Sequence, residues 1–103
     1  MIATLVLFRD EARRWTREAL VEAFEGSAPL YRGMAGLRSK AYLIDEERGE
    51  FGGFYVWESR EQMAAVQQTD RWRASVRERY GIEPSVRVFA VPLTIDNVGG
   101  RGG

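Results

Sequence analysis

The chain has neither cysteine nor histidine, and Lys40 is its only lysine. Without cysteine there is no disulfide framework and no thiol nucleophile, which is compatible with the cytoplasm. The lack of histidine excludes more. Imidazole base catalysis, haem on a proximal His, His-ligated zinc and triads built on Ser–His or Cys–His all require a residue that is missing. A metal site would need clustered carboxylates, and Glu46–Glu47 sits on a charged turn that solvation explains, so no metal is expected. Formal net charge is zero, so no whole-molecule field gathers nucleic acid or an anionic membrane. No apolar run approaches the length that spans a bilayer. The opening Met1–Phe8 segment has no basic residues before its short apolar run, and it reads as a strand rather than a signal peptide. The expectation is a cytoplasmic protein whose chemistry rests on Lys, Arg, Tyr, Trp and carboxylates.

What is present is organised around Gly36–Glu58. Two runs rich in β-branched and aromatic residues flank a charged, Gly-containing connector, which predicts a β-hairpin with Glu46–Gly49 as its loop. In that register Asp45 faces Glu50, Ile44 faces Phe51, Tyr42 faces Gly53, Lys40 faces Tyr55 and Arg38 faces Trp57. Alternation puts Arg38, Lys40, Tyr42, Tyr55 and Trp57 on one face and Leu37, Ala41, Leu43, Phe54 and Val56 on the other. The aliphatic face is expected under helices, and the aromatic, cationic face is expected bare. Gly52–Gly53 marks either a bulge, which would shift this register by one, or a cavity floor.

The rest of the chain follows from periodicity. Ile2–Phe8 reads as a central strand buried on both faces. Asp10 is expected to cap a helix carrying Ala12, Trp15, Ala19, Leu20, Ala23 and Phe24 on one stripe, ended by Gly26–Pro29. Leu30–Ala35 adds a short turn. Ser59–Gln62 is a capping-box pattern opening a helix with Met63, Ala64 and Val66 inward. A fresh start at Thr69–Asp70 puts Trp72, Val76 and Tyr80 at helical spacing up to Gly81. Val86–Leu93 is the last strand, with Pro92 hinting at an edge. The order is βαββαβ, an α+β ferredoxin-like plait with a four-stranded antiparallel sheet and its helices on one face. Residues 1–98 form this domain, and 99–103 a flexible Gly-rich tail. The bare face, rich in aromatic area, argues for a second sheet against it, hence a homodimer.

The hairpin residues Gly36, Leu37, Lys40 and Tyr42 are then joined by Gly52-Gly53-x-Tyr55-x-Trp57-Glu58-Ser59. With Tyr80-Gly81-x-x-Pro84 and Val91-Pro92-x-x-x-Asp96-Asn97, they resemble the YdhR-like monooxygenase family. This family belongs to the dimeric α/β-barrel superfamily that includes the cofactor-free antibiotic-biosynthesis monooxygenases. The resemblance implies the plait, a dimeric barrel and a cofactor-independent monooxygenase acting on a small hydroxyaromatic or polyketide-like compound. Members that degrade haem use a His, which this chain lacks.

Lys40 and Tyr42 are the candidate catalytic residues, and Arg38, Tyr55, Trp57 and Gly53 the candidate substrate-binding ones. A buried Lys40 ammonium would stabilise an enolate or phenolate; otherwise it is a solvated lysine, or one paired across the dimer. Tyr42 and Tyr55 donate hydrogen bonds to a substrate oxygen or pack an interface. Arg38 binds an acidic substrate group or stacks on Trp57, a pocket wall. Arg71, Arg73, Arg77 and Arg79 read as a solvated basic face balanced by Glu78. Two other functions fit the same residues: a dimeric barrel that binds a small aromatic ligand without turning it over, and a dimerisation unit packed shut.

Overall fold

Seven elements lie between residues 2 and 90, and the computed structural model describes residues 1–97. They are β1 (Ile2–Arg9), α1 (Arg17–Tyr31), β2 (Leu37–Asp45), β3 (Glu50–Trp57), α2 (Arg60–Gln67), α3 (Asp70–Tyr80) and β4 (Ser85–Ala90). The sheet is antiparallel in the order β2-β3-β1-β4. The plait is therefore as expected, with β1 inside and β4 at an edge. The glycine-rich tail falls outside the described residues.

Local chemistry explains most boundaries. Ser59 Oγ accepts from Gln62 N at 3.2 Å and donates to Gln62 Oε1 at 3.3 Å, a hydroxyl-centred variant of the capping box. Thr69 caps α3 by accepting from Trp72 N at 3.1 Å, and Gly81 closes that helix with φ 74°, where a side chain would be strained. The hairpin loop is Glu46–Gly49, and its register matches the expectation from Asp45–Glu50 through Lys40–Tyr55. The irregularity lies elsewhere: β3 runs unbroken through Gly52–Gly53, and the bulge falls between Leu37 and Ser39. Leu37 thus faces Trp57, and Arg38 is squeezed out of the ladder toward Glu58, 3.9 Å away on the surface.

α1 departs most from its expected limits. Thr16, not Asp10, is its cap, accepting from Ala19 N at 3.1 Å. The Asp10 carboxylate instead accepts from the amides of Arg14 and Trp15 and holds the connector below β1. The helix also continues through Gly26 and Pro29 to Tyr31. Pro29 lacks one amide, but it sits on an exposed face in the last turn, and the carbonyl left without a donor belongs to the equally exposed Glu25. This extension carries Tyr31 over the sheet.

The expected sides of the sheet are reversed. Trp57 is fully buried and Tyr55, Phe51, Phe8 and Val6 nearly so, packed under Leu20, Phe24, Met63, Trp72, Val76 and Tyr80 of the helices. The uncovered face is the aliphatic one, where Phe54 is 39% exposed. The reason is area. Each aromatic ring buries 150–250 Å², more than an Ala, Leu or Val, and a polar tip needs only one partner to go with it. Trp57 Nε1 finds that partner in Thr4 Oγ1 at 3.2 Å, and Thr4 in turn donates to Gln67 Oε1 at 2.7 Å.

Candidate functional site

The four tyrosines of the chain and its single lysine all line one small cavity, about 60 Å³, between the sheet and the helices. Lys40 rises from β2, with Tyr42 beside it and Tyr55 opposite on β3. Tyr31 comes from the end of α1 and Tyr80 from the end of α3. Gly52 and Gly53 lie beneath. A Cβ on Gly53 would come within 3.1 Å of Tyr55 Cε1 and 3.3 Å of Lys40 Cε, so the missing side chain makes the room.

Lys40 Nζ lies 3.5 Å from the centroid of the Tyr31 ring, 4.0 Å from Tyr42 and 4.7 Å from Tyr55. No carboxylate pairs with it among the described residues. Burial pushes its amine down to about 7, and the positive charge of Arg79 adds to that. The three ring faces act in the opposite direction, because they attract the ammonium and not the amine. The balance puts a proton-exchanging amine inside an aromatic cage near neutral pH.

The phenols are tuned the other way. Burial raises Tyr42, Tyr55 and Tyr80, Tyr55 far above the ordinary range and Tyr80 to about 12. All three stay protonated at neutral pH, and Tyr42 donates its proton to Ser27 Oγ, which gives its own to Phe24 O at 3.0 Å. Tyr42 is fixed by stacking on Phe24, centroids 4.6 Å apart, and by a 2.6 Å hydrogen bond with Ser27 Oγ. Tyr31 receives a hydrogen bond from Trp72 Nε1 at 3.1 Å. The arrangement is chemically an acceptor of one proton, enclosed by ring faces that suit the ammonium it becomes.

Of the residues singled out in the sequence, Lys40, Tyr42, Tyr55 and Gly53 meet at this cavity. Arg38 and Trp57 do not line it. Arg38 borders a neighbouring groove of about 340 Å³, and Trp57 lies in the core stacked on Tyr55 at 6.1 Å. Tyr31, Ser27, Tyr80 and Arg79 were missed. Tyr80 was legible only as a helical core position, and Tyr31 was hidden by the expectation that α1 stops before it. Tyr31 is also the wall shared by the cavity, the 340 Å³ groove and another of about 470 Å³ beside α3.

The lysine has a thermodynamic signature. The free side chain titrates at 10.5 and the folded one near 7, so between these values the unfolded chain binds more protons and stability rises with pH. Between pH 7 and 9, urea unfolding of the native protein should gain about 1–2 kcal/mol, and Lys40→Met should lack that gain. Equal slopes in the two proteins would mean that the amine is solvated.

No family model and no curated protein sequence matches the chain. Solved structures do. NE2512, a protein of unknown function from Nitrosomonas europaea, superposes with a TM-score of 0.72 at 15% identity, over 95% of each chain. The ActVA-Orf6 monooxygenase of Streptomyces coelicolor, solved with nanaomycin D, gives 0.67 at 19% identity over 91% of this chain and 89% of that one. SnoaB, a cofactor-independent oxygenase from Streptomyces nogalater, gives 0.64 at 10% identity, covering 91% and 95%. At such identities the likeness is one of fold: this chain is a ferredoxin-like α+β protein built as the antibiotic-biosynthesis-monooxygenase-like proteins are.

Proposed function

We propose that the protein is a cofactor-independent monooxygenase of a small hydroxyaromatic compound, and that it belongs with the YdhR-like branch its hairpin resembles. The observation that carries this reading is the convergence of the only lysine and every tyrosine on one cavity. Neutral Lys40 takes a proton from the substrate, and the resulting ammonium and the Tyr55 hydroxyl hold the phenolate or enolate, joined by the Tyr42 hydroxyl once it turns from Ser27 Oγ. The carbanion gives one electron to O2, and superoxide and the substrate radical combine as a hydroperoxide. Loss of water, with the proton returned by Lys40, leaves a new carbonyl: one methylene is oxidised, and the two oxygen atoms end in the product and in water. No other oxidant or reductant is needed.

The cavity is far smaller than the 300–1,000 Å³ of drug-sized sites. Entry of a fused-ring substrate therefore requires the Tyr31 ring to move, which would join the cavity to the grooves on either side. The experiment is oxygen uptake by metal-stripped protein with anthrone-like and quinol-like compounds. Uptake above the rate of autoxidation supports the reading, and its absence across the panel turns the site into a binding cavity.

The dimer belongs to the same proposal, with its surface corrected. Ala3, Leu5, Leu7, Ala41, Leu43, Phe54 and Val56 share the uncovered face, and Arg87 lies along Phe89 at its edge, 4.8 Å from the ring. A second copy laid on this face buries it. Sedimentation equilibrium should give twice the 11.7 kDa chain mass, and Leu5→Lys with Phe54→Lys should reduce it to one. A native monomer would refute the dimer.

A further inference from the structure

The cavity is lined by one fixed cation, one amine that titrates and no anion. Its lining includes Lys40 and Arg79 but neither Asp nor Glu. Of the four arginines of α3, Arg79 is the one that lines the cavity. Arg73 and Arg77 are both held by Glu83, at 3.4 and 3.2 Å, whereas the exposed Arg79, like Arg71, has no carboxylate partner within 4 Å among the described residues. It reaches from the last turn of α3 across α1, where its Nη1 comes within 3.7 Å of the place a Cβ on Gly26 would occupy. The guanidinium thus overhangs the cavity between the helices, with its charge felt by Lys40, Tyr42 and Tyr80.

When Lys40 carries its proton, two like charges face one space, and no carboxylate in the cavity lining offsets them. The counter-charge absent from the protein is left for the ligand to supply. A planar fork at the rim matches a carboxylate in bidentate fashion, while the amine further in faces the hydroxyl that ionises.

We propose that the substrate is an aromatic hydroxy acid, whose carboxylate is bound by Arg79 while its hydroxyl lies against Lys40. The proposal rests on the cavity assigned above, and Arg79 is its specificity residue. The sequence hid this role, since Arg79 stands in a run of arginines that reads as a solvated face.

The test is a binding titration, by calorimetry or NMR chemical shift, of 2-, 3- and 4-hydroxybenzoate against phenol. Even one ring exceeds the 60 Å³ of the cavity, so these probes also need the Tyr31 ring to move, by less than a fused-ring compound would. At least one hydroxybenzoate should bind native protein ten-fold or more tightly than phenol. Arg79→Gln should cut that preference below about three-fold with phenol unchanged, and Arg79→Lys should restore most of it. Equal affinities in the native protein, a preference surviving in Arg79→Gln, or no binding of any probe would each overturn the proposal. Selective binding without oxygen uptake would leave it standing and remove the oxygenase reading alone.

Discussion

Replacing Lys40 by methionine should lower oxygen uptake by two to four orders of magnitude while the protein stays folded. The range is what a positioned proton acceptor and an oxyanion partner ordinarily contribute. Methionine keeps most of the length and apolar character of the stem, so the packing against Tyr31, Tyr42 and Tyr55 survives. What is lost is the nitrogen. The buried amine costs stability at pH 7, since its folded value lies below the free one. The variant should therefore unfold no earlier than the native protein, which separates a chemical defect from a structural one.

The pH profile distinguishes the two roles of the amine. As the base, Lys40 must be neutral when substrate binds, so kcat/KM should rise with pH and reach half its plateau near 7. The inflection should vanish in Lys40→Met. Lys40→Arg keeps a positive charge but cannot accept a proton, and it should be as inactive as the methionine variant. Uptake within three-fold of native in Lys40→Met would take the chemistry away from this cavity. Full activity in Lys40→Arg would leave Lys40 only an electrostatic role.

The hairpin shows how far the residues alone go. Loop length and alternation set the register from Lys40–Tyr55 to Asp45–Glu50, and with it the meeting of Lys40, Tyr42, Tyr55 and Gly53. A period of two says which side chains share a face. It does not say which face the helices cover, because that depends on what the helices bring. Here α1, α2 and α3 bring Phe24, Met63, Trp72 and Tyr80, and rings pack on rings. Alternation alone therefore puts the aliphatic face under the helices as readily as the aromatic one, and the expected sides come out reversed. The bulge at Arg38 carries no glycine or proline to announce it, whereas Gly52–Gly53 looks like a bulge and is instead regular strand. Tyr31 and Arg79 are contributed by helix ends, and their approach to Lys40 is a property of packing that no local pattern records.

Gly52→Ala should be the most damaging single methyl group in the protein. A Cβ at this position would stand 1.8 Å from the Val6 carbonyl oxygen, 2.9 Å from its carbon and 3.1 Å from Leu7 Cα. All three are backbone atoms of β1, the strand that pairs with both β3 and β4. No rotamer relieves such a contact; the strands must part where the ladder is central. The cost should be at least about 3 kcal/mol, beyond the usual range for overpacking by one methyl group. In a domain of this size that lowers Tm by about 12–24 °C. Gly53→Ala, one residue on, provides the comparison. Its Cβ would meet side-chain atoms of Tyr55 and Lys40 at 3.1–3.4 Å, and these shift at a cost of about 1 kcal/mol. That variant should fold and lose activity, because the methyl group takes the space beneath the amine. Thermal unfolding followed by circular dichroism ranks the two. Should Gly53→Ala prove the less stable, or Gly52→Ala lie within 1 kcal/mol of native, then β1 and β3 approach each other less closely at Gly52 than the register requires. The adjoining floor of the cavity under Lys40 would have to be redrawn with them.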